Sequence, residues 1–100
     1  MKKILLVCAA GMSTSLLVER MKARAAELNI ESEIEALSIS EASNKIDSVD
    51  IVMLGPQVRY QEKQIKDMAA GRIPVTVIDM LAYGKMDGTA VLDKALELIG

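Results

Sequence analysis

Residues 4–17 read ILLVCAAGMSTSLL. Ile4 to Val7 is an unbroken aliphatic run with Lys2 and Lys3 before it, the pattern of a strand buried on both faces of a parallel sheet. From Ser13 onward the period changes. Leu16, Leu17, Met21, Ala25 and Leu28 recur at spacings of three and four, with Glu19, Arg20, Lys22, Arg24 and Glu27 opposite them, which predicts an amphipathic helix ending near Asn29. Between strand and helix stands the only cysteine of the chain, Cys8, followed by the small-residue turn Ala9, Ala10, Gly11, Met12 and Ser13.

Outward from this unit the same alternation repeats. Glu31 to Leu37 mixes Glu and Ser with Ile34, Ala36 and Leu37, as an edge strand does, and Ser40 is expected to cap a short helix with Glu41 in its first turn. Asp50 opens a second buried run, Ile51 to Leu54, which ends at Gly55-Pro56. A helix is predicted from about Gln57 to Ala70, closed by Gly71. Val75 to Ile78 forms the fourth strand; a loop from Asp79 to Gly88 and a final helix over Thr89–Ile99 complete the chain. Four strand–helix units of about 25 residues argue for one open parallel α/β domain spanning residues 1–100, with helices on both faces.

Composition narrows the function. The 100 residues carry 12 basic and 14 acidic side chains, a net charge of −2, and their hydrophobic share of 51% includes two Tyr but no Trp or Phe. There is no basic stripe to follow a phosphate backbone and no aromatic platform for bases, so nucleic acid is not an expected partner. One cysteine and no histidine leave too few ligands for the usual zinc sets, and no metal or cofactor is expected. The start MKKILLVCAAG imitates a secretion signal, but the apolar run is short, bulky Val7 precedes the cysteine, and a helix follows. No run approaches the roughly 20 apolar residues of a membrane span. A cytoplasmic chain without membrane insertion is expected, its free thiol suiting a reducing compartment.

The turn after Cys8 suits anion chemistry. In open parallel sheets ligands bind beyond the carboxyl ends of the strands. The small residues from Ala9 to Ser13 let backbone N–H groups curl around an anion, and Gly11 permits positive φ. A helix that begins directly afterwards adds its free N–H groups and the positive end of its dipole, which favour a thiolate and a bound phosphate alike. Ser13, Thr14 and Ser15 add hydroxyls. The competing reading is a small buried core cysteine followed by a routine cap. Neither G-x-G-x-x-G nor G-x-x-x-x-G-K-[ST] occurs.

Cys8, five residues, then Thr14 and Ser15 looks like the C-x5-R-[ST] loop of low-molecular-weight tyrosine phosphatases, with the arginine missing. No Lys or Arg lies between Cys8 and Arg20, so nothing in this segment can clamp phosphoryl oxygens in the bidentate way. A cradle of neutral donors holds a phosphocysteine yet is poorly equipped to drive attack by water. The residues ILLVCAAGMSTSLL, with GPQVRY and VIDMLAYGKMDG further on, resemble the IIB component of the lactose/cellobiose-type phosphoenolpyruvate-dependent sugar phosphotransferase system along the whole chain. That resemblance implies a four-stranded parallel sheet of order 2-1-3-4, a monomer, and a phosphate-binding loop at Ala9, Ala10, Gly11, Met12, Ser13, Thr14 and Ser15. It also implies that Cys8 takes a phosphoryl group from a phosphohistidine of the IIA component and passes it to a sugar of the cellobiose, chitobiose or lactose class entering through the membrane component IIC. The alternative is a phosphatase or arsenate-reductase-like hydrolase on the same loop.

Further residues are candidates for contact with phosphate or partner. Gln57 ends the turn after the third strand and either binds the phosphoryl group or starts a helix. Tyr60 is partner-facing or an ordinary half-exposed tyrosine, and Arg59 either reaches the phosphate or is solvated. Asp79 stands at the end of the fourth strand, where a phosphatase keeps its general acid; capping is the favoured reading. Leu81, Tyr83 and Met86 either form a docking surface or pack down on the fourth strand.

Overall fold

The computed structural model describes residues 1–8 and 14–100. Strands β1 (Lys2–Val7), β2 (Ser32–Leu37), β3 (Ile51–Leu54) and β4 (Val75–Val77) form one sheet of order β2-β1-β3-β4. Every neighbouring pair is parallel, which is the expected order, with β2 on an edge. Val7 pairs with Leu37 and Leu54, and Leu54 with Val77. The next row therefore brings Ser38, Cys8, Gly55 and Ile78 side by side at the carboxyl end of the sheet. Backbone bonds extend to that row, from Cys8 N to Leu37 O at 3.1 Å, Gly55 N to Val7 O at 2.8 Å and Ile78 N to Leu54 O at 2.8 Å.

The two central strands bury both faces because their residues are aliphatic without alternation. Ile4, Leu6, Ile51 and Met53 point to one face, where helices α1 (Ser15–Glu27) and α5 (Gly88–Ile99) cover them with Leu17, Met21, Ala25, Val91, Leu92 and Ala95. Leu5, Val7, Val52 and Leu54 point to the other, under Ala42 of α2 (Ile39–Ala42) and Ile65 and Ala69 of α3 (Glu62–Ala69). Helices α1 and α5 approach closely at Gly88, where a Cβ would stand 2.5 Å from the carbonyl carbon of Arg20 and 2.6 Å from Met21 N. Only glycine permits that crossing. Arg20 reinforces it by donating from Nη1 to the carbonyls of Lys85 and Met86, and Arg24 Nε donates to Asp93 at 3.1 Å.

Local boundaries differ from the expectations in four places. The short second helix is preceded by Ser38, whose hydroxyl donates to Glu41 Oε1 at 2.9 Å, and Ser40 lies inside it. The predicted helix over Gln57–Ala70 is two pieces, a 3-10 segment at Pro56–Gln61 and then α3, because buried Val58 adopts φ −115°, ψ 20° and breaks the helical run. Ala70 takes the left-handed conformation that closes α3, with Gly71 also at positive φ beyond it. The expected loop over residues 79–88 contains a helix, α4 (Met80–Gly84), capped by Asp79 and pinned to the core by Tyr83. At the end of α1, Asn29 has φ 56°, which is the expected stop.

Candidate functional site

Cys8 is 2% exposed, as a core cysteine is. Yet it belongs to neither apolar cluster, and its sulfur meets polar atoms. Cys8 Sγ lies 3.2 Å from Thr14 Oγ1 and 3.9 Å from the Leu37 carbonyl, to which the thiol donates. Thr14 is the residue before α1 and is itself buried, at 1% exposure. Such a position ordinarily spends its hydroxyl on a backbone N–H of the first helical turn; here no such side-chain cap is made. The hydroxyl sits against sulfur instead, where it donates to a thiolate or accepts from a thiol. The hydroxyl is thus within hydrogen-bond reach of the sulfur.

The backbone delivers both groups from different directions. β1 carries Cys8 to the carboxyl end of the sheet, between the ends of β2 and β3. Thr14 meets it from the start of α1, which is held in place by buried Leu17 and Met21. Ser15 is exposed and opens the helix. The expected cradle residues Ala9, Ala10, Gly11, Met12 and Ser13 lie outside the described residues.

The remaining candidates divide. Pro56, Gln57, Arg59, Met80, Tyr83 and Gly84 line an open groove of about 310 Å³ between the 3-10 segment and α4, so Gln57 and Tyr83 are brought together at the carboxyl end of the sheet. Arg59 is exposed and forms no ion pair among the described residues. Tyr60, 75% exposed, instead borders a shallow depression with Lys63, Gln64, Asp67 and Met68. Asp79 Oδ2 accepts from Ala82 N at 3.0 Å, the capping role favoured from the sequence. Tyr83 is 7% exposed and packs with the α1–α5 cluster, whereas Leu81 stands 65% exposed; the three apolar residues expected to act together are thus split, with Met86 partly buried. Gly55 is the neighbour of Cys8 that the sequence pattern passed over. Its signal was a glycine ending a strand directly before Pro56.

Fold and site together define an open parallel α/β protein whose one thiol stands at the carboxyl end of the first strand, on a buried hydroxyl. The chain belongs to the lactose/cellobiose-specific IIB subunit family of the phosphotransferase system, whose model matches residues 3–94. It is 43% identical to an oligo-beta-mannoside-specific EIIB component of Bacillus subtilis, over 99% of this chain and 97% of that one. It is 40% identical to a galactose-specific EIIB component of Lactococcus lactis subsp. cremoris, over 98% and 96%. Among solved structures it is similar to a cellobiose-specific phosphotransferase IIB component from Borrelia burgdorferi, with a TM-score of 0.82, 39% identity, and coverage of 98% of this chain and 91% of that one. Components of this family are phosphotransferases that accept phosphate and pass it to a sugar, working with IIA and IIC partners. No helix among the described residues is long and apolar enough to cross a membrane.

Proposed function

We propose that Cys8 is the phosphoryl acceptor. A phosphohistidine of the IIA component presents its phosphorus to Cys8 Sγ; the S–P bond forms as the N–P bond breaks, and the imidazole leaves with its electron pair. In the second transfer a sugar hydroxyl at the IIC component attacks the same phosphorus. The O–P bond forms, the S–P bond breaks, and the hydroxyl proton is released as the thiolate is regenerated. The sugar is of the cellobiose, chitobiose or lactose class. The chain acts as one IIB-type unit over residues 1–100, a monomer in the cytoplasm, and the backbone N–H groups of residues 9–15 cradle the phosphate.

The observation that carries this reading is the 3.2 Å contact between Cys8 Sγ and the buried Thr14 hydroxyl. A hydroxyl that leaves its helix uncapped to face sulfur supports a thiol used as an anion rather than as filler. Two further features favour a carrier over a hydrolase. Arg20, the first arginine after the thiol, is occupied at the carbonyls of Lys85 and Met86. Asp79, placed where a general acid would stand, holds the start of α4. The family match is likewise to phosphotransferase components.

The test is intact-mass spectrometry after mixing the protein with phosphoenolpyruvate, the general phosphocarrier proteins and a matching IIA component. The native chain is expected to gain one phosphoryl mass and hold it without releasing phosphate, while Cys8→Ser gains none. Turnover of an aryl phosphate with no adduct would overturn the carrier reading in favour of a hydrolase.

A further inference from the structure

We infer that Gly55 is a positioning residue for phosphoryl transfer, reserving beside Cys8 the space in which the Gln57 amide is held. The inference rests on the reading of Cys8 as phosphoryl acceptor. Gly55 has φ −62° and ψ 148°, which every residue adopts easily, so backbone conformation does not call for glycine here. Space does. Gly55 follows the last residue of β3, donates its N–H to Val7 O at 2.8 Å, and so lies beside the end of β1, adjacent to Cys8 in the sheet. A Cβ at this position would stand 3.2 Å from Gln57 Oε1, 3.5 Å from Tyr83 Cε1 and 3.6 Å from the Val7 carbonyl oxygen.

The last two distances are ordinary contacts; the first is tight. The slot therefore admits a methyl group only if the Gln57 amide gives way. Although Gln57 is exposed as a whole, its side chain folds back toward Gly55, with the edge of the Tyr83 ring at the same point. The amide oxygen is the atom that faces Gly55, which leaves the NH2 of the same amide as the neutral donor for an anion carried at the neighbouring strand end. The site needs such donors, since the segment from Cys8 to Glu19 contains no cation. Gly55 acts through Gln57 and touches no reacting atom.

The test is a double-mutant cycle on phosphoryl uptake from the IIA component, with kcat and KM for that donor measured separately. Gly55→Ala and Gln57→Ala are each expected to lower kcat about fivefold with little change in KM, the loss of one neutral hydrogen bond in transfer. The double variant is expected to be no slower than Gln57→Ala alone, because the added methyl then meets only ordinary contacts. Gln57→Leu, which fills the slot without an amide, should lose as much as Gln57→Ala, and it supplies the test should Gly55→Ala fail to fold. Native rates in Gly55→Ala or Gln57→Leu, or losses that multiply in the double variant, would overturn the inference alone. A native chain that takes up no phosphoryl group at all would overturn the reading beneath it.

Discussion

The ends of β1 and β4 lie in the same row of the sheet and put their polar groups to opposite uses. After β1 the chain places a thiol against a threonine hydroxyl that no longer caps its helix. After β4 it places a carboxylate, Asp79, which is wholly ordinary: it accepts from Ala82 N and starts a helix. A hydrolase needs both ends to be chemical, one as nucleophile and the other as proton donor. Among the described residues, the Asp79 carboxylate is engaged in capping, while the Cys8 thiol faces a buried hydroxyl. On the proposed reading, a nucleophile with no proton donor set opposite it passes a phosphoryl group on rather than handing it to water.

Substitutions at and around the two strand ends separate their roles. The largest effect is expected from Cys8→Ser, which should lose phosphoryl uptake completely in the reconstituted cascade while its stability changes by no more than about 1 kcal/mol, since a serine hydroxyl suits the polar neighbours of Sγ. Gly88→Ala comes next. Its methyl meets the backbone of Arg20 and Met21, which no rotamer relieves, so chemical denaturation should show a loss of about 3 kcal/mol. Thr14→Val keeps the shape and removes the hydroxyl; steady-state kinetics should show transfer about tenfold slower, the scale of one hydrogen bond to a charged group. Asp79→Ala is the mildest. It should cost about 1 kcal/mol of stability as a lost cap and leave transfer within about twofold, whereas a large loss of turnover would make the β4 end chemical after all.

How far the sequence discloses this arrangement differs along the chain. β1 and β3 are legible because their aliphatic runs have one reading, and their lengths and spacing imply the parallel sheet. The thiol's place at the strand end follows from the same run. The helix after Asp79 is not legible: it is only five residues long and offers solvent two successive apolar side chains, Met80 and Leu81, so its pattern imitates a loop. The boundary at Ser38 is legible, because Ser38-Ile39-Ser40-Glu41 has the spacing of a capping box, although Ser40 offers a competing cap two residues on. The split of the helix after Pro56 depends on Val58 turning into the core, a tertiary choice that local propensity does not encode. In the sequence Thr14 is one hydroxyl of three; its distinction is burial against sulfur, which only packing reveals.

Whether phosphorus binds sulfur at Cys8 is decided by phosphorus NMR of the protein charged through its IIA component. A single resonance is expected at the position of an S-phosphorylated cysteine, absent from Cys8→Ser and discharged when membranes carrying the IIC component and its sugar are added. A resonance of an oxygen-bound phosphoester, or steady growth of inorganic phosphate without sugar, would contradict it.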